Sequence, residues 1–488
     1  MRIKQNLLWA LFILLLCSPN NLFAEKRFTF KDGKFKIAQF TDIHWDNKTQ
    51  NCARTIASIQ QVLEIEKPDL AMLTGDVVSA QPAVEGWKAV IRIFDEAKMP
   101  YAVVMGNHEA DVLDKDSIFD ILEKSPYFVG ERGPKELSGV GNYVLPVYGS
   151  GREDPKALLY CIDSNDYPKN NTNIRNYGRY DWIHPDQIQW YREQSASYTK
   201  ANGGKQVPSL AFFHIPLKEY RLVVDAETRI GDYGDNVVGD ADVNSGFFSA
   251  LLEMGDVMGT FVGHDHLNNY IGLLNNVALG FGLVSGWDAY GDIERGGRII
   301  ELYEDQFKFD TWLRTPTKRE YTFYYPSGLN SGDEENLAYL PALNVQPKKQ
   351  GVAYTYYEGR MKRLENLSIL KKVKEGVMGE ISIKDALAKD HFAYEFKSYL
   401  KVPDRGVYRF HVCSDDGAIL KIDGKIIIDN RNAHWAAHPK KAKVCLEPGF
   451  HKLEVIYFED SSGQALEVGI CSRNINEQLI PADMLYIE

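Results

Sequence analysis

The chain has 488 residues, more than one ordinary hydrophobic core organises, so two domains are expected. Its formal net charge of −11 argues against a nucleic-acid-binding protein, because phosphate backbones attract basic surfaces. A composition that is 44% hydrophobic and 25% charged is typical of globular proteins.

Residues 1–24 have the pattern of a secretory signal peptide. Arg2 and Lys4 precede an apolar run from Leu7 to Cys17, and Ala24 supplies the small residue of a cleavage site. The run is too short to span a bilayer, which needs about 20 apolar residues. We therefore expect a secreted or periplasmic protein cut near Ala24, with a lipid anchor at Cys17 as the alternative. No later segment predicts a transmembrane span.

In the first domain, short apolar runs alternate with segments whose apolar residues recur at helical spacing. The runs end in polar groups, namely Asp42-Ile43-His44, Gly75-Asp76, Gly106-Asn107-His108, His214 and Gly263-His264-Asp265-His266. Asp42, Asp76 and Asn107 recur at roughly the thirty-residue interval of a strand-helix-strand unit, which predicts parallel strands joined by helices. Because ligands bind beyond the carboxyl ends of such strands, we expect these side chains to lie together.

These strand-end residues have the chemistry of a metal centre. Carboxylate, amide and imidazole donors, without a thiolate, come from Asp42, His44, Asp76, Asn107, His214, His264 and His266. Mixed nitrogen and oxygen donors suit iron, manganese or zinc, and this many fit two ions better than one. Two such ions can clamp a phosphate ester and hold a bridging hydroxide for in-line attack. Each fragment alone would more often be a turn or a core histidine, but the ordered set favours the metal centre.

The ordered motifs DxH, GD, GNHE, a later histidine and GHxH resemble those of the calcineurin-like metallophosphoesterases, over residues 30–315. The segments 211–216, 243–248 and 263–266 are similar to the purple-acid-phosphatase-like branch of that superfamily. The resemblance implies an α/β fold for residues 25–325, a metallophosphoesterase β-sandwich flanked by helices in αββα order.

The same resemblance implies a role for each strand-end side chain. One metal ion would be held by Asp42, His44, Asp76 and His266. The other would be held by Asp76, Asn107, His214 and His264, which makes Asp76 the bridge. His108 would be the catalytic histidine, which stabilises the transition state or protonates the leaving oxygen.

The chain departs from the family pattern at Ser79. Purple acid phosphatases have a metal-bound tyrosine there, so this protein is expected to lack the tyrosine-to-iron colour, with His44 supplying a ligand instead. Many phosphoprotein phosphatases have an aspartate at that position, which orients the catalytic histidine. Glu109 is a candidate substitute for that charge, and Arg179 is a candidate phosphate contact.

Residues 167–191 are rich in asparagine, tyrosine and tryptophan. This stretch is interpreted either as a wall of the substrate pocket or as a packed surface loop. Pro185 is placed to begin a helix.

The C-terminal part of the chain predicts a second domain. Residues 326–350 are rich in Pro, Gly, Asn and charge without clear periodicity, which predicts a linker. Over residues 351–488, short strands separated by turn residues predict an all-β sandwich. The segments 402–410, 414–417, 422–424 and 448–451 resemble the β-sandwich module of anthrax protective antigen.

That second resemblance implies a glycan- or surface-binding module. It also makes Asp415 and Asp416 candidate Ca2+ ligands, since oxygen donors suit that ion, although Asp-Asp-Gly can equally be a simple turn. Cys413, Cys445 and Cys471 are interpreted either as disulfide partners or as small buried side chains. The absence of a CxxC pair argues against structural zinc.

These patterns together predict an exported dinuclear-metal phosphoesterase whose C-terminal β-sandwich binds a glycan or a surface. The expected substrate is a phosphorylated small molecule or a phosphoglycan. One alternative is a phosphodiesterase acting on nucleotides or lipid-derived diesters, because the same ligands serve both ester classes. The other is a glycan-binding protein with a non-catalytic metal domain.

Overall fold

The computed structural model describes residues 27–151, 153–168, 178–436 and 439–488. The predicted signal peptide, 1–24, lies outside the described residues. The strands of the first domain are β1 (Phe28–Thr29), β2 (Lys34–Phe40), β3 (Leu70–Thr74), β4 (Tyr101–Val104), β5 (Tyr143–Tyr148), β6 (Pro155–Cys161), β7 (Ser209–Phe212), β8 (Val257–Val262), β9 (Ile271–Leu274), β10 (Val277–Phe281), β11 (Gly297–Tyr303), β12 (Phe309–Arg314), β13 (Arg319–Tyr325) and β14 (Leu329–Asn330). The helices are α1 (Asn51–Glu66), α2 (Ala83–Glu96), α3 (Glu109–Val112), α4 (Lys115–Leu122), α5 (Pro185–Ala201), α6 (Tyr220–Val223), α7 (Phe247–Met254) and α8 (Ser331–Asn336).

The first domain is built on two facing seven-stranded sheets. One has the order β1-β5-β6-β7-β8-β10-β9 and the other β14-β13-β12-β11-β2-β3-β4. β2, β3 and β4 run parallel, as the spacing of their polar ends predicts, and β6, β7 and β8 are also parallel. The edge strands β11 to β14 pair antiparallel, which the sequence patterns do not anticipate.

Three apolar clusters define the layers of this domain. Residues such as Met72 and Phe212 fill the space between the two sheets. On the outer face of one sheet, Trp87 of α2 packs in a cluster with Leu73 of β3, and on the outer face of the other, Phe247 of α7 packs with Ala211 of β7. The arrangement is therefore helix, sheet, sheet, helix, which confirms the predicted αββα class.

The C-terminal domain is all-β, as predicted. Its strands are β15 (Tyr339–Leu340), β16 (Lys349–Gln350), β17 (Val352–Glu358), β18 (Lys371–Met378), β19 (Phe392–Val402), β20 (Gly406–Ser414), β21 (Ala418–Ile422), β22 (Lys425–Asn430), β23 (Lys440–Leu446), β24 (Gly449–Glu459), β25 (Leu466–Ser472), β26 (Gln478–Leu479) and β27 (Leu485–Ile487). They form one sheet around β23-β20-β25 and another around β27-β19-β24-β21-β22, and the core lies between these sheets.

The segment predicted as a linker, 326–350, is structured. β14 extends the sheet of the first domain, and β15 pairs with β23 of the second. Asp333 in α8 forms an ion pair with Lys443 of β23 at 2.7 Å. Because its strands are two residues long, the segment carries no hydrophobic periodicity, although it joins both domains.

Cys445 and Cys471 are buried free thiols, so neither belongs to a disulfide. For this pair, the structure therefore favours the alternative of small buried side chains. Among the described residues, no helix combines the length and hydrophobicity needed to cross a membrane.

Candidate metal centre

The strand ends bring the predicted ligands to one edge of the first domain. Asp42 and His44 follow β2, Asp76 follows β3, and Asn107 follows β4. His214 follows β7 in the facing sheet, and His264 and His266 follow β8. The two parallel strand sets therefore deliver their polar ends to the same place.

The first ligand set surrounds His44. Its Nε2 atom lies 3.1 Å from Nε2 of His266 and 3.6 Å from Oδ2 of Asp76. Nε2 of His266 lies 3.5 Å from Oδ1 of Asp42. One donor atom each from Asp42, His44 and His266 falls within 4.8 Å of the others, a spacing that fits a shared cation.

The second set surrounds His214. Its Nε2 atom lies 3.1 Å from Oδ2 of Asp76 and 3.3 Å from Nδ1 of His264. Asn107 Oδ1 is buried and has no hydrogen-bond partner among the described residues. The Nδ2 group of Asn107 donates to the Tyr167 hydroxyl at 3.1 Å, which leaves Oδ1 as the available donor atom.

The donor atoms fit two metal ions better than a hydrogen-bonded network. In each of the two facing pairs, His44 with His266 and His214 with His264, at most one of the two facing nitrogens can carry the shared proton. The other nitrogen of each pair therefore has a lone pair that points into the cluster. A buried amide oxygen without a hydrogen-bond partner, such as Asn107 Oδ1, also lowers the free energy of unfolding unless it binds a cation. Oδ2 of Asp76 faces both sets, as a bridging ligand must.

The electrostatics of the cluster agree with this interpretation. Burial lowers the pKa of His44 to about 4 and that of His264 to about 3, so both rings are neutral and keep lone pairs for a cation. Burial disfavours the charged forms of His214 and Asp76, but their mutual attraction outweighs it. The pKa of His214 rises to about 10, and that of Asp76 falls well below its usual range. Without a metal ion, His214 therefore holds a proton on Nε2 beside Asp76, and a bound cation would take the place of that proton.

The backbone at the centre is strained in the way that functional sites often are. Asp42, His44, Asp76 and His264 all adopt left-handed conformations, with φ of 51°, 46°, 52° and 79°. Gly106 packs directly on Asp76, and a β-carbon at position 106 would lie 2.5 Å from the Asp76 amide nitrogen. Gly106 is therefore a position where the turns after β3 and β4 approach closely.

Second-layer groups orient two of the histidines. His214 Nδ1 donates to the carbonyl of Thr74 at 2.8 Å, which leaves Nε2 pointing at the cluster. His44 Nδ1 lies 3.0 Å from the Ser79 hydroxyl. Ser79, the position that departs from the family pattern, thus contacts His44, the candidate ligand expected in place of the tyrosine.

The expectation for Glu109 is wrong. Its carboxylate is fully buried and accepts the backbone N–H groups of Val77, Gly106 and Asp76 at 2.6, 2.7 and 3.2 Å, so it holds the turns after β3 and β4 together. The carboxylate that faces His108 belongs to Asp111, with Oδ2 2.6 Å from Nδ1. Sequence reasoning missed Asp111, although its spacing of three residues is a signal for neighbours on a helical turn.

Tyrosines frame the two ligand sets. The Tyr290 ring stacks on His266 at 3.8 Å between centroids, and the Tyr180 ring meets His264 edge-on at 4.4 Å. Arg179, the candidate phosphate contact, is exposed and lies over Tyr180 at 5.2 Å. Part of the insertion contributes to this rim, whereas its later part forms α5, which begins at Pro185 as predicted. Residues 169–177 lie outside the described residues.

The C-terminal domain has its own acidic cluster. Carboxylate oxygens of Asp415, Asp416 and Glu459 lie within 4.8 Å of one another. Asp416 Oδ2 also accepts the N–H of Asp460 at 2.6 Å. The Asp-Asp-Gly segment forms the bend between β20 and β21. Glu459 is fully buried, and its Oε1 atom has no partner among the described residues. An oxygen-only cluster with an unsatisfied buried carboxylate fits Ca2+, and Glu459 is the member that sequence reasoning missed.

Comparison with known proteins places both domains in families. Residues 35–268 match the model of the calcineurin-like phosphoesterases, and residues 348–483 match the PA14 domain model. "Probable inactive purple acid phosphatase 29" from Arabidopsis thaliana is 32% identical over 345 residues, which cover 63% of this chain and 87% of the relative. "Phosphatase DCR2" from Saccharomyces cerevisiae is 30% identical over 344 residues, covering 63% of this chain and 58% of the relative.

Among solved structures, a dimetal phosphatase from Danio rerio is similar, with 14% identity and a TM-score of 0.42, over 60% of this chain and 99% of that chain. The identity to the Arabidopsis relative and its coverage, together with the two domain matches, agree with the motifs at the strand ends. The chain belongs to the calcineurin-like phosphoesterases, with purple acid phosphatase-like relatives, and carries a C-terminal PA14 domain.

Proposed function

We propose that this protein is a catalytically active dinuclear-metal phosphoesterase that hydrolyses phosphate esters. The observation that carries the proposal is the complete donor set, in which both sets of side chains face Asp76 Oδ2. Some relatives are named inactive, but in this chain every motif position of the centre bears a side chain able to ligate. A partly exposed histidine, His108, adjoins the set.

The residues of the chain divide the work of hydrolysis. Two bound ions, of which iron, manganese and zinc suit these donors, would supply Lewis-acid polarisation of the phosphoryl group and activation of a water molecule. His108 is anchored by its backbone N–H, which donates to Asp76 Oδ1 at 2.9 Å. Its ring stands 5.6 Å from the His44 ring and keeps 40% of its side-chain surface exposed. It can therefore contact an ester bound at the centre.

The experiment is hydrolysis of p-nitrophenyl phosphate and bis-p-nitrophenyl phosphate by protein reconstituted with Zn2+, Mn2+ or Fe2+. The wild type is compared with Asp76→Asn and His108→Ala, and with Asp305→Asn, an exposed carboxylate in the β11–β12 turn, as the matched control. Turnover that both site variants lose and the control keeps supports the proposal. A preference for the diester would support the phosphodiesterase alternative. If no metal gives turnover on either ester, the non-catalytic alternative replaces it.

For the PA14 domain we propose a glycan- or surface-binding role. Trp435 is 77% exposed, and the preceding residue, His434, accepts the N–H of Asp416 through its carbonyl. An exposed aromatic ring beside an oxygen-lined cation site suits a sugar ring, whose apolar face stacks while its hydroxyls meet the cation. Retention on immobilised glycans should require Ca2+ and be lost in Trp435→Ala. Equal retention of this variant would contradict the proposal.

We also propose that the protein is exported, on the pattern of residues 1–24. N-terminal sequencing of the mature protein should begin near residue 25, whereas a lipid anchor would leave the first residue at Cys17. An intact N-terminus would reject both forms of the proposal.

A further inference from the structure

We propose that Asp111 is the positioning residue for His108. It supplies the carboxylate that the neutral side chain of Ser79 cannot. The inference rests on the proposed function, because it concerns the same site. The observation that carries it is the 2.6 Å separation between Asp111 Oδ2 and His108 Nδ1.

The local backbone builds this contact. His108 is the residue before α3, and Asp111 lies in the first turn of that helix, where its N–H bonds the His108 carbonyl at 3.3 Å. Residues three apart on a helical turn share a face, so the two side chains meet. Because His108 is also held at Asp76 through its own N–H, only the ring rotation remains to be set.

The contact determines which ring nitrogen faces the cleft. An ionised carboxylate only accepts hydrogen bonds, so Nδ1 must carry the donated proton. Nε2 is then the ring atom left to meet the phosphoryl group or the leaving oxygen. A ring without this partner can rotate and present either nitrogen, which lowers the fraction of productive encounters.

The other groups near the ring have separate roles. The Glu109 carboxylate accepts hydrogen bonds from three backbone N–H groups, and the Ser79 hydroxyl contacts Nδ1 of His44. Over the described residues, Asp111 is the carboxylate that forms an ion-pair contact with His108. No second carboxylate of the described residues forms an ion pair with the His108 ring.

In the reaction, the water oxygen forms the new bond to phosphorus and gives up a proton to solvent. The bond between phosphorus and the ester oxygen breaks, and its electron pair stays on that oxygen. His108 acts as the acid in its doubly protonated form: Nδ1–H stays on Asp111, Nε2 gives its proton to the departing oxygen, and solvent returns a proton to Nε2. The help matters most when the leaving alcohol is weakly acidic, because its alkoxide is then least stable without a proton.

The pair is nearly half exposed, with 40% of the His108 side chain and 44% of the Asp111 side chain accessible. An exposed ion pair adds little to the free energy of unfolding, because water screens it. Removing Asp111 should therefore leave the melting temperature and the metal content unchanged. A loss of turnover would then report orientation of the ring rather than collapse of the site.

The experiment measures kcat and KM for p-nitrophenyl phosphate and for glycerol 2-phosphate, which has a poor leaving group, with the zinc-reconstituted protein. We expect Asp111→Ala to lose about 10- to 100-fold in kcat on the glycerol ester, with a smaller loss on the aryl ester and little change in KM. Asp111→Glu should recover part of the loss. Asp120→Ala, an exposed aspartate of α4, is the matched control.

The decisive comparison is the double variant His108→Ala with Asp111→Ala. If Asp111 acts through His108, the double variant is no slower than His108→Ala alone. The inference would be overturned if the loss in the double variant equalled the product of the two single losses. It would also be overturned if Asp111→Ala kept wild-type turnover.

A second readout separates this inference from the proposed function. Nitrogen NMR of histidine-labelled zinc protein, recorded at a pH where the ring is neutral, should show His108 protonated at Nδ1 in the wild type and a mixture of tautomers in Asp111→Ala. A wild type without hydrolysis but with that tautomer would refute only the proposed function. The opposite tautomer in an active wild type would refute only the role of Asp111.

Discussion

Replacing Gly106 with alanine tests how closely the strand ends must approach for the centre to form. Gly106 lies between β4 and the candidate ligand Asn107, and its N–H is held by Glu109 Oε2 at 2.7 Å. An added methyl group would lie 2.5 Å from the amide nitrogen of Asp76 and would collide with its Oδ1 atom. The φ of Gly106 is not left-handed, so the penalty is steric rather than conformational.

The magnitude follows from that contact. Ordinary van der Waals contact begins near 3.4 Å, so Asp76 or the turn must move by roughly 1 Å. Overpacking of a closely packed site costs about 1–3 kcal/mol, and the alanine recovers about 0.4–1 kcal/mol by restricting the unfolded chain. A displacement of about 1 Å at a catalytic centre costs about 100-fold in turnover. The effect on kcat/KM should therefore exceed the effect on stability.

The assay combines kcat/KM on p-nitrophenyl phosphate, bound metal per protein and the unfolding midpoint. Gly151→Ala is the matched control, because a β-carbon at that exposed position meets nothing within 4 Å. We expect the control to match the wild type in all three measurements. Wild-type turnover and metal content in Gly106→Ala would refute the idea that this close approach places Asp76.

Three further predictions concern groups around the two sites. Ser79→Ala should weaken metal binding by about 10-fold in chelator competition, because the Nδ1 partner of His44 is lost, whereas Ser79→Thr should retain it. Ca2+, but not Mg2+, should raise the melting temperature of the PA14 domain, and Glu459→Gln should remove that shift; an undiminished shift would exclude Glu459 as a ligand. Burial lowers the pKa of His451, but its hydrogen bond to Asp423 outweighs this and raises the pKa above 6.5. The resulting stability is present below pH 6.5, the ordinary histidine pKa, and is lost as pH rises through the raised pKa, so Asp423→Asn should remove this fall in melting temperature above pH 6.5.

The candidate ligands could be located from the sequence because each follows an apolar run with a clear end. Strand ends are local features, and the spacing of Asp42, Asp76 and Asn107 encodes the parallel connections between them. The layer order follows from the helical spacing of the apolar residues. Trp87 and its apolar neighbours lie on one face of a helix, and that face must be buried against a sheet.

Contacts that depend on side-chain rotation were out of reach. Glu109 and Asp111 are both acidic and both close to His108, and only the turn geometry decides which one faces the ring. The pairing of Asn107 with Tyr167 spans sixty residues and has no sequence period. The structured link through β14 and β15 was also hidden, because two-residue strands are too short to show alternation.

The exchange at position 79 bears on the metals that the centre prefers. A phenolate is a hard, anionic donor that suits trivalent iron, whereas a neutral imidazole suits divalent ions. In this chain the hydroxyl of Ser79 lies 3.0 Å from Nδ1 of His44. Ser79, at the tyrosine position, therefore contacts His44, the candidate ligand expected in place of the tyrosine oxygen. The serine at position 79 thus both removes the tyrosine ligand and orients the candidate ligand His44. A donor set with a histidine in place of the phenolate carries less negative charge.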